Sequence, residues 1–296
     1  MASLARIDSR VAPFSGAGLA RRFSADTRGP KAFRALADVD YQRSISKLIE
    51  SEIIPRLMIA HAVDTPLPAV MGIEAQEITA LAPMALAVEA DALLLHIEAI
   101  LQRGVTVDTV MVDLLAPTAR LLGEFWEDDL CDFVEVTMGL WRLQEVVHEI
   151  AARHPADRLL AAGGHRALFA SMPGDQHNFG TVVIDELFRR DGWMTDRMSG
   201  AETPDLVRRV GQDWFDLIGL TVSCDGHIAT LKSVIVALRN VSRNPRVCVM
   251  VGGRIFSAEP ELAMEVGADG TACDARSALI VAADLVRVRA GEALIA

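Results

Sequence analysis

Three residues in the stretch SMPGDQHNFG, residues 171–180, have types and a spacing that suit a ligand containing a metal ion. His177 offers a ring nitrogen as the metal ligand. Asp175, two residues earlier, could hold the other ring nitrogen and so fix the tautomer. Gly180 would let a bulky ligand approach the following helix closely. The spacing also leaves a simpler interpretation open, in which Asp175 and His177 belong to an exposed polar turn that caps this helix.

Two further segments carry small or hydroxyl-bearing residues after apolar runs. Thr221 and Ser223 end the stretch DLIGLTVS, and Gly252 and Gly253 follow the stretch VCVMV. The hydroxyl groups could contact a ligand, and the glycine pair could let a flat or extended group lie along the backbone. Serine and threonine at strand ends also cap helices, and a glycine pair also forms tight turns. Neither segment decides the function alone.

The elements that carry these segments form a regular alternation over residues 166–296. Strand-like apolar runs alternate there with amphipathic helix-like segments, which predicts a flavodoxin- or Rossmann-like parallel sheet with helices on both faces. Ligands of such sheets bind beyond the carboxyl ends of the strands, where all three segments would meet. The predicted strands are residues 166–172, 193–198, 215–223, 246–253 and 268–274, and the predicted helices lie near 180–190, 204–212, 226–240, 258–266 and 275–289.

The chain before this sheet has helical periodicity. Residues 39–153 are predicted to form a helical bundle, and residues 154–165, with their proline and glycine pair, to form a linker. Residues 1–38 show no periodicity and are predicted to be a disordered basic arm. The fold class is therefore α followed by α/β. The predicted helices of the bundle are residues 41–62, 74–84, 86–103, 106–125 and 130–153.

Composition narrows the classes of function. Seven arginine and lysine residues against two aspartates in residues 1–34 leave about −16 on the rest of a chain whose net charge is −11. The acidic body would repel a phosphate backbone, so any DNA contact would be a weak one made by the basic arm. The four cysteines include no CxxC pair, which argues against a zinc site and a disulfide framework. The charged interruptions of every apolar run argue against a membrane span, and we expect a cytoplasmic protein.

Taken together, the three segments resemble the cobalamin-binding domain of methionine synthase, methylmalonyl-CoA mutase and the B12-dependent light-sensing transcription regulators. The resemblance implies that His177 replaces the lower axial base of the cobalt, supported by Asp175, and that the nucleotide tail lies in the sheet beside the other two segments. The matching positions are Asp175, His177 and Gly180, then Thr221 and Ser223, Gly226 and His227, Gly252 and Gly253, and a closing run at 267–270 with Asp274 and Ala275.

The helical half resembles the cap that precedes this domain in the same regulators and in methyltransferases. Pro117, Gly123 and Trp126 match its motifs, and Trp126 would then cover the upper face of the corrin. Without the resemblance, an ordinary core tryptophan is the simpler interpretation. Val136 and Thr137 stand where the light-sensing regulators have a Glu-His pair that serves the adenosyl group. Hydroxocobalamin or aquacobalamin is therefore the expected ligand, with adenosylcobalamin as its photolysed source.

The arrangement also resembles the AerR/PpaA antirepressors of purple photosynthetic bacteria. This resemblance implies a cobalamin-binding, light-responsive regulator that binds a CrtJ/PpsR-like DNA-binding repressor of photosynthesis genes. The chain carries no evident general acid–base pair, so we expect no catalysis by the chain itself. Two alternatives remain: a corrinoid carrier for a methyltransferase system, and a flavodoxin-like interaction module without a cofactor.

Overall fold

The computed structural model describes residues 72–156, 164–175 and 177–292. The predicted basic arm, the predicted helix at 41–62 and most of the predicted linker lie outside these residues. In the part of the chain that the structure describes, no helix combines the length and the apolar character needed to span a membrane.

The described chain begins with a helical bundle. Its longest helix starts at a capping box in which the Asp132 side chain accepts from the backbone N–H of Glu135, and the Glu135 side chain accepts from that of Asp132. The buried positions of this helix recur at helical spacing and face the bundle core. The helices are α1 (Ala75–Ala87), α2 (Ala90–Gln102), α3 (Val107–Thr109), a π-helical segment (Val110–Leu115), α4 (Ala116–Glu127) and α5 (Phe133–Arg153).

Two predicted features of the bundle differ from the structure. The break predicted at residue 85 lies at residues 88–89 instead, because α1 continues past Pro83 to Ala87 and keeps Leu81, Ala82 and Ala85 fully buried. Packing of this face outweighs the lost backbone donor of the proline. The single helix predicted at 106–125 contains the π-helical segment, whose residues are almost all buried. The buried face of the helix therefore continues where the α-helix changes to a π-helix.

The second half is a five-stranded parallel sheet with the order β2-β1-β3-β4-β5, which confirms the predicted fold class. In this order the chain reverses direction across the sheet between β1 and β3, so a crevice opens at their carboxyl ends. The strands are β1 (Arg166–Ser171), β2 (Met194–Met198), β3 (Leu217–Thr221), β4 (Cys248–Gly252) and β5 (Gly270–Thr271), and the helices are α6 (Phe179–Arg190), α7 (Thr203–Gln212), α8 (Ile228–Val241), α9 (Arg254–Ala258), α10 (Leu262–Glu265) and α11 (Ala275–Glu292).

Helix α6 packs against both halves of the described chain. Its residues Phe179, Val182, Val183 and Leu187 belong to the core of the bundle, while Phe188 lies in the core beneath the sheet. At the far end of the helix, Arg190 binds Asp108 at 2.7 Å and donates to the carbonyl of His154 at 2.7 Å. The loop before α6 is therefore held between the sheet and the bundle.

The predicted helix near 258–266 is two short helices, α9 and α10. Pro260 lies between them, and it has no backbone N–H to continue the first helix. The last predicted strand, at 268–274, is reduced to Gly270–Thr271. Asp269 accounts for part of this reduction. Its carboxylate accepts from the backbone N–H of Val249 at 2.7 Å and also binds Arg239 and Arg289, so a side chain replaces a strand contact beside β4.

Candidate functional site

Asp175 lies buried in the loop that follows β1, and its side chain has no exposed surface. One carboxylate oxygen accepts from the backbone N–H of His177 at 3.0 Å and faces His177 Nδ1 at 2.8 Å. The other oxygen accepts from the backbone N–H of Ser223 at 2.9 Å. The alternative of an exposed turn that caps the helix is therefore wrong for Asp175, and the N-cap of α6 is Asn178.

These contacts fix the charge of Asp175 and the tautomer of His177. Burial acts to raise the pKa of Asp175, but the hydrogen bonds from His177 and Ser223 outweigh it and hold the pKa below its ordinary value. An ionised carboxylate only accepts hydrogen bonds, so His177 Nδ1 must carry the proton and donate it to Asp175. In the neutral ring the lone pair is then on Nε2.

The His177 ring is available to a ligand. Its side chain is 60% exposed, although the carboxylate that holds it is buried. Among the residues that the structure describes, Nε2 has no hydrogen-bond partner. A metal ligand of this kind, with one nitrogen held by a carboxylate and the other exposed, has a fixed orientation.

Hydroxyl groups at the ends of β1 and β3 hold the backbone of this loop. Ser171 donates to the carbonyl oxygen of His177 at 2.9 Å, and Thr221 donates to the hydroxyl of Ser171 at 3.4 Å. Ser171 and Thr221 are opposite each other in the strand register. A Cβ on Gly180 would lie 4.0 Å from the methyl group of Thr221. Thr221 thus supports the loop from within, and Ser171, which the sequence analysis did not single out, shares this role.

The glycine pair at the end of β4 serves two purposes. Gly253 has φ +120°, and a Cβ there would lie 2.0 Å from the carbonyl oxygen of Val222, so only glycine lets the loops after β3 and β4 come this close. A Cβ on Gly252 would meet nothing within 4 Å in the described chain, which leaves open space beside the strand end. This open space and the exposed imidazole nitrogen fit a corrinoid, which needs room for its tail and an axial ligand.

The predicted cap residues lie on the bundle helices. Trp126, near the end of α4, is 48% exposed, so it is not an ordinary core tryptophan. Val136 is buried in the bundle core, and the exposed Thr137 donates its hydroxyl proton to the carbonyl of Phe133 at 2.6 Å. Neither residue has a side chain free to bind a ligand as Glu and His would. The position of Trp126 over a corrin stays a prediction.

One contact joins the bundle to the histidine loop. Gln144 of α5 donates to the side-chain oxygen of Asn178 at 2.7 Å, and Asn178 directly follows His177. Sequence reasoning missed both residues. The sequence gives only a weak signal for this contact. Glutamine is common on amphipathic helices, and Asn178 belongs to the predicted sheet domain, whereas Gln144 belongs to the predicted bundle. The contact places a bundle residue within one residue of the candidate ligand.

The remaining matched positions lie around this centre. A Cβ on Gly174, which has φ +83°, would be 3.7 Å from the ring of His227, so the turn at Asp225–His227 lies against the β1 loop. Asp274 accepts from the backbone N–H of Ser277 at 2.7 Å in the first turn of α11. Burial acts to raise the pKa of Asp274, but the hydrogen bonds with Ser277 outweigh it and hold the pKa below its ordinary value. Asp274 thus has a local capping role.

The chain is similar to known proteins in sequence and in fold. A protein of Rhodobacter capsulatus, described as an uncharacterized 20.5 kDa protein in the bchF-crtJ intergenic region, is 28% identical over 165 residues, which are 56% of this chain and 85% of that protein. The monomethylamine corrinoid protein of Methanosarcina barkeri has a similar fold, with a TM-score of 0.56 and 16% identity, over 73% of this chain and 100% of that one. Residues 165–280 match the B12 binding domain family, and this match supports a corrinoid as the cofactor of the sheet domain.

Proposed function

We propose that the protein binds cobalamin through His177 and acts as a light-responsive antirepressor that contacts a DNA-binding repressor. The observation that carries the proposal is the buried Asp175 carboxylate, which lies 2.8 Å from Nδ1 of the exposed His177. When bound, cobalamin would supply a light-absorbing corrin and a cobalt ion that a histidine nitrogen can bind. His177 would bind the cobalt, and Asp175 would orient the ring.

The other site residues would hold the rest of the cofactor. Gly252 leaves room at the end of β4, and Gly253 lets the neighbouring loop lie close to it. Thr221 and Ser223 would border the nucleotide tail, and Gly180 would keep the start of α6 free of side-chain bulk. Trp126 would face the corrin from the bundle. Hydroxocobalamin or aquacobalamin is the preferred form, because Val136 and Thr137 lack the carboxylate and imidazole with which a Glu-His pair would contact an adenosyl group.

The path from the cofactor to a partner would run through Asn178. His177 and Asn178 are consecutive, so a shift of the histidine on ligation also moves the residue that Gln144 binds at 2.7 Å. A ligand changes a conformational equilibrium only by its differential affinity for the two states. Cobalt ligation by His177 would provide such a difference, and α5 would carry it to the surface of the bundle.

A regulatory role has support from the relative and from charge. The Rhodobacter relative is described as a protein of the bchF-crtJ intergenic region, so its gene lies next to crtJ, whose name the CrtJ/PpsR-like repressors carry. The acidic body of this chain would repel DNA, so a protein partner is the more favourable target, and a CrtJ/PpsR-like repressor is the partner we propose. A second function is supported by the fold of the Methanosarcina corrinoid protein, namely a methyl carrier that serves a methyltransferase.

Titration of the full-length protein with a purified CrtJ/PpsR-like repressor tests the proposal. We expect the hydroxocobalamin-bound form to bind the repressor at least about tenfold more tightly than the corrinoid-free form, a difference of about 1.4 kcal/mol. Adenosylcobalamin should have this effect only after illumination. The proposal is wrong if the affinity for the repressor is the same with and without corrinoid. Acceptance of a methyl group from a methyltransferase would then favour the carrier function.

A further inference from the structure

We infer that Asp175, His177 and Cys224 form a Zn²⁺ site in the corrinoid-free protein. Each of the three residues offers one ligand atom, and these atoms all lie within 4.8 Å of one another. Cys224 is a free, exposed cysteine, and His177 is exposed as well, while Asp175 is buried. A nitrogen, a sulfur and a carboxylate oxygen are the ligand types that Zn²⁺ takes in proteins.

The fold brings Cys224 to this place through backbone contacts. Asp175 accepts from the backbone N–H of Ser223, which ties the loop after β3 to the loop after β1. Cys224 is the next residue, and its carbonyl accepts from the backbone N–H of His227 at 3.1 Å at the start of the 3₁₀ turn. The sequence argued against a zinc site because its four cysteines are widely spaced and form no CxxC pair. The structure instead joins a cysteine to a histidine from another loop.

The geometry needs only a small adjustment to accept the ion. In a tetrahedral site with bonds of about 2.0 to 2.3 Å, ligand atoms are roughly 3.3 to 3.7 Å apart. Asp175 is fixed and His177 Nδ1 already lies 2.8 Å from it, so the exposed imidazole would shift slightly away to admit the ion, and the exposed Cys224 side chain can adjust. The Cys224 thiol would bind as a thiolate and release its proton to solvent. Three protein ligands leave the fourth position of the ion open to water.

Zn²⁺ and cobalamin would compete for one histidine. An ion shared by Asp175 and His177 would bind Nδ1, because this nitrogen lies 2.8 Å from the carboxylate, and the Nδ1 proton would be released to solvent. The ring would then lose the hydrogen bond to Asp175 that orients Nε2 for cobalt. This competition rests on the proposed cobalamin site, whereas the zinc site itself does not. Zinc occupancy would thus keep the protein in its corrinoid-free state.

Calorimetric titration of the full-length, corrinoid-free protein with Zn²⁺ tests the site. We expect one ion per chain and a Kd that rises at least about tenfold in Cys224→Ser, because loss of even an outer partner of a metal ligand weakens binding 10- to 100-fold. Cys273→Ser is the matched control. Cys273 is also exposed and lies 3.5 Å from the Asp274 carboxylate, but among the described residues it belongs to no group of three metal-binding side chains.

A second measurement tests the competition. At a Zn²⁺ concentration about ten times the parent Kd for zinc, the apparent Kd for hydroxocobalamin should rise about tenfold for the parent and for Cys273→Ser, but only about twofold or less for Cys224→Ser. Equal Zn²⁺ affinity in the parent and Cys224→Ser overturns the site. An unchanged hydroxocobalamin affinity in Zn²⁺ overturns the competition. Failure of the parent to bind hydroxocobalamin without Zn²⁺ refutes the proposed function instead, and the calorimetric result still decides the zinc site.

Discussion

A Cβ atom on Gly253 would lie 2.0 Å from the carbonyl oxygen of Val222, so the loops after β3 and β4 are in direct backbone contact, with no side chain between them. Val222 also donates its N–H to the carbonyl of Gly252 at 2.9 Å, which extends the pairing of β3 and β4 to the mouth of the crevice. The two glycines have different neighbours although they are adjacent in the chain. Substitutions at the two positions should therefore have different effects on stability.

Gly253→Ala should destabilise the folded protein by at least about 2 kcal/mol, because the new methyl group meets backbone and the φ of +120° strains any side chain. Gly252→Ala is the control and should change the free energy of unfolding by less than about 0.5 kcal/mol, since its Cβ enters open space. Urea unfolding of the corrinoid-free proteins measures both. Similar stability losses in the two variants would contradict the assignment of the close contact to Gly253.

His177→Ala should remove the cobalt–nitrogen bond. The absorption spectrum of added hydroxocobalamin should then resemble that of the free corrinoid, and its affinity should fall at least about tenfold. His165→Ala is the control, because His165 packs against Trp193 with ring centroids 5.1 Å apart and precedes β1 at the other end of the sheet. A His177→Ala protein with the parent spectrum and affinity would show that another residue binds the cobalt.

Asp175→Asn should weaken hydroxocobalamin binding by about 1 to 3 kcal/mol, less than His177→Ala does, because it loosens the ring without removing the ligand. The amide has one oxygen where the carboxylate accepts from two backbone N–H groups and a ring nitrogen. The cobalt–nitrogen spectrum should persist at saturating corrinoid. Loss of that spectrum would mean that Asp175 itself is required for ligation.

Acid should destabilise the loop through Asp175. Its pKa is lowered in the folded protein, so the ionised form contributes stability that is fully present above the unfolded pKa of about 4 and is lost as the pH falls through the lower folded value. The gap in unfolding free energy between the parent and Asp175→Asn should therefore be constant near neutral pH and narrow below about pH 4. Urea unfolding at a series of pH values measures it. If the difference in unfolding free energy between the parent and Asp175→Asn grew as the pH fell, the pKa of Asp175 would not be lowered in the folded protein.

Trp126→Ala should raise the dark affinity for adenosylcobalamin, because the indole and the adenosyl group would occupy the same space above the corrin. The parent should bind hydroxocobalamin more tightly than adenosylcobalamin in the dark. Trp141→Ala is the control, since Trp141 lies on α5 of the same bundle and is 53% exposed, close to the 48% of Trp126. Equal dark affinities of the parent for the two corrinoids would remove the steric argument.

The buried strands β1, β3 and β4 and the Asp175–His177 pair could be predicted because their signals are local. A buried parallel strand is a short apolar run, and an aspartate two residues before a histidine is within reach of its ring. The π-helical segment at Val110–Leu115 could not be predicted, because its apolar residues suit an ordinary buried helix. Gln144–Asn178 and the approach of Cys224 to His177 depend on the packing of elements that are distant in the chain. No local pattern encodes them.

Both edges of the sheet are poorly suited to pairing with a strand from another molecule. At one edge β5 has only two residues, and at the other β2 carries Asp196 and Arg197 in the middle of the strand, where Asp196 binds Arg166 at 3.0 Å. Short edges and inward-paired charges are the devices by which natural sheets avoid aggregation through backbone hydrogen bonds. A partner protein should therefore recognise helices and loops of this chain rather than add a strand to it, and peptides designed to extend the sheet should not compete with that partner.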